Sequence, residues 1–159
     1  MKVAIYPGTF DPLTCGHLDL IERTAGLFDR VVVAVAASAR KQPLFSLQQR
    51  VALVESSVSH LDQVMVASLE GLLVHFAEQH AARYIVRAAR STTDFEYELQ
   101  LAQMNRAMLP AIETLFFTPS ERFAYVSSTL VREIAAMGGD FDQFVPPVVA
   151  AALRERFRA

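Results

Sequence analysis

Five short apolar runs alternate with segments of helical spacing, and few folds accept that order. The runs are residues 2–6, 30–36, 63–67, 84–87 and 113–118, of which Arg30-Val31-Val32-Val33-Ala34-Val35-Ala36 is the most continuous. Unbroken apolar strands, unlike alternating ones, belong to sheets covered on both faces. Helices are expected over 16–28, from Ser46 to about Val58, over 71–80, from a cap at Thr92, Thr93 or Asp94 to Met108, and over 127–137, with a last one after Pro146-Pro147. Leu18, Ile21, Ala25 and Phe28 set the period of the first. Ser46-Leu47-Gln48-Gln49 is a capping box opening the second. The repetition predicts an α/β chain with a Rossmann-like, doubly wound five-stranded parallel sheet, its helices on both faces and its crossovers right-handed. No linker or repeat divides it, so residues 1–159 read as one domain.

Composition narrows the partners. Hydrophobic residues make up 52% of the 159, charged ones 20%, and the formal charge is −2 with no basic tail. That argues against disorder and against nucleic acid as a partner. The longest apolar run, Val31 to Ala37, has the length of a strand and not of a membrane span. One cysteine, Cys15, excludes an intrachain disulfide and fits a reducing compartment. Met1-Lys2 runs directly into a strand with no signal peptide before it, so the expected location is the cytoplasm, away from any membrane.

In open parallel sheets ligands bind beyond the carboxyl ends of the strands, and the unusual chemistry of this chain gathers in those loops. Thr9-Phe10-Asp11 follows the first strand and leads to Gly16-His17 at a helix start. Gly8 and Gly16 remove Cβ atoms where a ligand would approach the backbone. His17 sits beside free helix N–H groups, a place that receives phosphates; a simple helix cap is the competing account. Arg40 and Lys41 follow the second strand, either as solvated surface or with Lys41 facing the same crevice. Arg87 and Arg90 bracket Ala88-Ala89 after the fourth, placed to hold phosphates bidentately or to pair with Asp94, Glu96 or Glu98. Glu98 shares a helix face with Asp94 and is a candidate for a ribose hydroxyl or an adenine amine. Ser127-Ser128-Thr129 opens a further helix, as caps or as a cradle for a triphosphate. No metal-ligand cluster and no nucleophilic triad spacing is present.

These residues resemble those of bacterial phosphopantetheine adenylyltransferases, members of a nucleotidyltransferase superfamily marked by (His/Thr)-x-Gly-His, matched here by Thr14-Cys15-Gly16-His17. The likeness runs along the chain through Tyr6-Pro7-Gly8-Thr9-Phe10-Asp11-Pro12, Ala37-Ser38 with Lys41 and Pro43, Arg87 with Arg90, Asp94-Phe95-Glu96-Tyr97-Glu98, Gln103-Met104-Asn105-Arg106 and Val126-Ser127-Ser128-Thr129-Leu130-Val131. The resemblance implies transfer of AMP from ATP to 4′-phosphopantetheine with Mg²⁺, giving dephospho-coenzyme A and pyrophosphate, by a homohexamer inhibited by coenzyme A. It implies that Thr9, Lys41, Leu73 and Arg87 hold phosphopantetheine. ATP would lie against Thr9, Phe10, His17, Ala88, Ala89, Arg90, Glu98, Phe123, Ala124, Tyr125, Val126, Ser127, Ser128 and Thr129. Among the implied catalytic residues, Lys41 would place the acceptor phosphate in line, His17 would stabilise charge on the transferring group and Arg90 would help with the leaving pyrophosphate, and the metal's ligands stay unassigned.

Two departures stand out. Cys15 replaces the usual Asn, at a position whose side chain the motif does not need. Ala88-Ala89 replaces Gly-Leu, and the loss of glycine predicts a loop set differently, with altered nucleotide affinity. The alternatives are a related transferase acting on nicotinate mononucleotide, or a weak relative that only binds coenzyme A or a nucleotide.

Overall fold

The computed structural model describes residues 1–37 and 42–158. Its five strands are β1 (Val3–Gly8), β2 (Arg30–Ala36), β3 (Val64–Leu69), β4 (Tyr84–Ala88) and β5 (Glu113–Phe117), all parallel, in the order β3-β2-β1-β4-β5. Six helices accompany them: α1 (Cys15–Ala25), α2 (Leu47–Ser57), α3 (Leu73–Gln79), α4 (Thr92–Met108), α5 (Ser128–Ala136) and α6 (Pro147–Arg156), with a 3₁₀ turn at Asp142–Phe144. This is the expected Rossmann-like α/β architecture.

Both faces of the sheet are buried. Ala4 and Tyr6 of β1 and Val33 and Val35 of β2 face a core completed by Leu20 and Ile21 of α1, Val54 of α2, Val131 of α5 and Leu153 of α6. Their alternates Val3, Ile5, Val32 and Ala34 meet Phe76 and Ala77 of α3. The second face is thin: α4 runs for 17 residues with none buried. None of the described helices is long and apolar enough to cross a membrane.

The element boundaries shift for local reasons. β1 continues through Pro7 and Gly8, which stay in register with Ala34 and Val35 where a turn was expected. α1 stops at Ala25, because Gly26, Leu27 and Phe28 turn back onto the carbonyls of Glu22 and Thr24. Phe28, the last residue of the helical period, then packs from a loop against Tyr84 at 5.3 Å. α4 is capped one residue earlier than expected: Ser91 Oγ accepts from Asp94 N at 3.1 Å, which leaves Asp94 as the acid of the first turn. Ser46 and Gln49 form the expected capping box.

Candidate active site

The sheet runs outward in one direction from β1 through β2 and β3, then returns to place β4 on the other side of β1. At the carboxyl ends of β1 and β4, the switch point where such folds bind ligands, opens a cavity of about 470 Å³. Tyr6 to Asp11 form its floor, the starts of α1 and α5 two of its walls, and the end of β4 with the first turns of α4 the rest.

Thr14 is the N-cap of α1. Its Oγ1 accepts from His17 N at 3.3 Å, and His17 Nδ1 accepts from Thr14 N at 3.0 Å. A backbone N–H only donates, so Nδ1 is unprotonated and the neutral ring carries its proton on Nε2. Burial first, and the nearby Arg90 second, push the His17 pKa down to about 4. At neutral pH the ring is therefore an uncharged donor, and its Nε2 has no hydrogen-bond partner among the described residues. The cap and the ligand site are one device: capping spends Nδ1 and aims the other nitrogen.

Gly8 answers to the protein itself. A Cβ there would lie 2.9 Å from the tip of the Phe10 ring, so the space expected for a ligand is taken by Phe10. That ring stands edge-on to Tyr6 at 5.4 Å and to His17 at 5.1 Å, and its packing holds Phe10 at φ 50°, a conformation rare for a residue with a side chain. A Cβ on Gly16 would make only ordinary contact with Phe123, at 3.5 Å.

Beneath the floor lies a clamp that sequence reasoning missed. Asp11 is buried, and its carboxylate accepts from Leu44 N at 2.8 Å and Phe45 N at 3.0 Å. Arg50 of α2 is 1% exposed and donates to the carbonyls of Phe45 (3.1 Å), Thr9 (2.9 Å) and Ala36 (2.8 Å). The available signal was helical phase, since Arg50 shares its face with buried Val54 and Ser57.

Two guanidinium groups on the wall have no carboxylate partner among the described residues. Arg90 donates to Val126 O at 2.8 Å; Arg132, not singled out from the sequence, donates to Asp11 O at 2.6 Å and Thr129 Oγ1 at 3.3 Å. Ser127 Oγ caps α5 by accepting from Leu130 N, and Ser128 Oγ donates to Pro12 O at 2.8 Å. These hydroxyls have internal partners, which leaves the N–H groups of Ser128 and Thr129, in the first turn of α5, as its anion-binding feature. Arg87 is paired, through a bidentate contact with Glu98.

Thr9, Phe10, His17, Arg87, Ala88, Arg90, Glu98, Phe123, Val126, Ser127, Ser128 and Thr129 all line the cavity. Leu73, Ala89, Ala124 and Tyr125 are not part of its wall: Leu73 packs against the core around Phe76, and Tyr125 is exposed with its ring edge toward Phe144. Lys41 lies outside the described residues. Ala88 ends β4 in register with Phe117, and neither it nor Ala89 has a positive φ. The backbone at both positions is one that alanine adopts without strain.

A protein-family model described as cytidylyltransferase-like matches residues 5–134, which include every cavity-lining position. The chain belongs to the cytidylyltransferase-like family. Among solved structures, this cytidylyltransferase-like chain is similar to a "Putative Nicotinate-nucleotide Adenylyltransferase" from Vibrio parahaemolyticus. The TM-score is 0.71 at 20% identity, over 99% of this chain and 95% of that one, a likeness of fold. Family and fold place the cytidylyltransferase-like chain among the nucleotidyltransferases.

Proposed function

We propose that this nucleotidyltransferase moves AMP from ATP onto the phosphate of 4′-phosphopantetheine, giving dephospho-coenzyme A and pyrophosphate. The reading is carried by one juxtaposition: the acidic-aromatic start of α4, with Asp94, Tyr97 and Glu98, walls the same cavity as the Thr14–His17 helix start. The acceptor phosphate is already an anion, so no general base is needed, and catalysis is positioning plus electrostatic stabilisation. His17 donates from Nε2 to an oxygen of the α-phosphate as its charge changes. Arg90, Arg132 and the first-turn N–H groups of α5 take the β- and γ-phosphates and then the leaving pyrophosphate. Thr9, Lys41 and Arg87 hold the acceptor phosphate.

The described residues contain no group of three or more His, Cys, Asp or Glu placed to hold a metal. Mg²⁺ would arrive on the triphosphate, since this ion keeps several waters and needs only one or two carboxylates. Asp94 lines the cavity outside any ion pair among the described residues and is the carboxylate offered to it. When bound, Mg²⁺ supplies charge neutralisation on the phosphates. Assembly as a homohexamer is part of the proposal, as is inhibition by coenzyme A. The exposed Phe95, Tyr97, Leu99, Met104 and Met108 of α4 support self-association.

The likeness to the Vibrio protein supports a second acceptor, nicotinate mononucleotide. Pyrophosphate release from ATP and Mg²⁺ with each acceptor, for the parent and His17→Ala, decides between them. Release that requires phosphopantetheine and falls by about 100-fold or more without His17 is expected. Release only with nicotinate mononucleotide transfers the chain to that reaction, and ATP binding without release makes it a binding protein.

A further inference from the structure

Among the described cations on the cavity wall, Arg87 alone is held by a carboxylate. Its Nε donates to Glu98 Oε2 at 2.6 Å, its Nη2 to Glu98 Oε1 at 2.5 Å, and its Nη1 to Pro7 O at 3.3 Å. A guanidinium has five N–H bonds, and these contacts consume the one on Nε, one on Nη2 and one on Nη1. What remains is one N–H on each terminal nitrogen, two donors able to meet phosphate oxygens. The Glu98 side chain is 11% exposed and both its oxygens accept from Arg87.

We infer that Glu98 is a positioning residue for Arg87: it fixes the guanidinium so that its remaining terminal N–H donors aim the acceptor's phosphate. The inference rests on the reading that the acceptor attacks through a phosphate. Pairing with Glu98 also offsets the arginine's charge. An anionic nucleophile held by a full cation is stabilised before reaction as well as during it, which gives no acceleration. Held by a charge-offset guanidinium, the phosphate keeps more of its charge for the attack on phosphorus while its direction is fixed.

The test uses the full chain with ATP, Mg²⁺ and 4′-phosphopantetheine, in the parent, Glu98→Gln, Arg87→Ala and the double variant, with ATP affinity measured separately by equilibrium dialysis. Misaiming a reactant by about 1 Å costs up to about 100-fold, so kcat of Glu98→Gln is expected to fall by at least about tenfold. ATP affinity is expected to hold within about two-fold, and the double variant to be no worse than Arg87→Ala within that margin, because Glu98 acts through Arg87. If Glu98→Gln folds poorly, Glu98→Asp, which keeps the charge on a shorter arm, is expected to lower kcat with ATP affinity again unchanged. A tenfold loss of ATP affinity, losses that multiply in the double variant, or an unaltered kcat in Glu98→Gln would each overturn the inference. A parent that releases no pyrophosphate with any phosphorylated acceptor, seen before a variant is made, removes the underlying reading and this inference with it.

Discussion

Replacing Arg50 by methionine keeps most of the side-chain volume and deletes a charge that three parts of the chain share. The guanidinium joins the carbonyls of Thr9 after β1, Ala36 at the end of β2 and Phe45 before α2. Hydrogen bonds to a charged group are worth about 1.5–3 kcal/mol each, which for three gives an upper range of about 4.5–9 kcal/mol. At 1% exposure, however, Arg50 is itself desolvated, a cost methionine does not carry. Breaking such a buried arrangement by removing one side costs about 3–5 kcal/mol net. For a chain of this size each kcal/mol lowers Tm by about 2–4 °C, so Arg50→Met should melt about 6–20 °C below the parent. Thermal unfolding followed by circular dichroism, with urea unfolding as a check that the m-value is unchanged, measures this. ATP affinity should fall with it, since Thr9 and Asp11 form the cavity floor. A methionine variant that melts within about 2 °C of the parent would refute the clamp, because water would then be satisfying the three carbonyls.

Three further outcomes follow from the same geometry. With the His17 pKa lowered in the native state to about 4 from an ordinary value of 6.5, the neutral ring's contribution to stability is present above pH 6.5 and lost as pH falls through about 4. Urea midpoints should therefore decline over that window in the parent and less in His17→Asn, while the His17 ring shows no titration near 6.5 by NMR; a ring that titrates there would contradict the assignment. Gly8→Ala drives a Cβ to 2.9 Å from the Phe10 ring and should cost about 1–3 kcal/mol in denaturant titrations, with reduced turnover as Phe10 presses on His17. Ala88→Gly should lower stability by about 0.5–1 kcal/mol and leave ATP affinity, measured by dialysis, unchanged; a changed ATP affinity would show instead that the alanine sets this loop differently.

The five strands and their helices were legible because apolar runs, helical periods and capping boxes are local properties, each settled within a few residues. So was the placement of His17 in a helix's first turn, which needs only Thr14, Gly16 and the period that begins at Leu18. Pairing of an arginine with an acid of the next helix was also among the sequence's options, and the structure selects Arg87 with Glu98. What could not be read locally was return geometry. The position of β4 beside β1 depends on a crossover that passes back over the sheet, and that crossover creates the switch point where the cavity opens.

The sequence alone thus determined the class of fold and the rim on which the chemistry gathers, since backbone propensity and side-chain period act over one or two turns. Only the tertiary structure decided which polar groups are spent on the protein and which are left for a ligand. Arg132 reaches Asp11 across 121 residues, Ser128 reaches Pro12 across 116, and Arg50 reaches Thr9 across 41. A buried hydrogen-bonding group is satisfied by whatever the fold brings within about 3 Å, and no reading of neighbours along the chain specifies that partner.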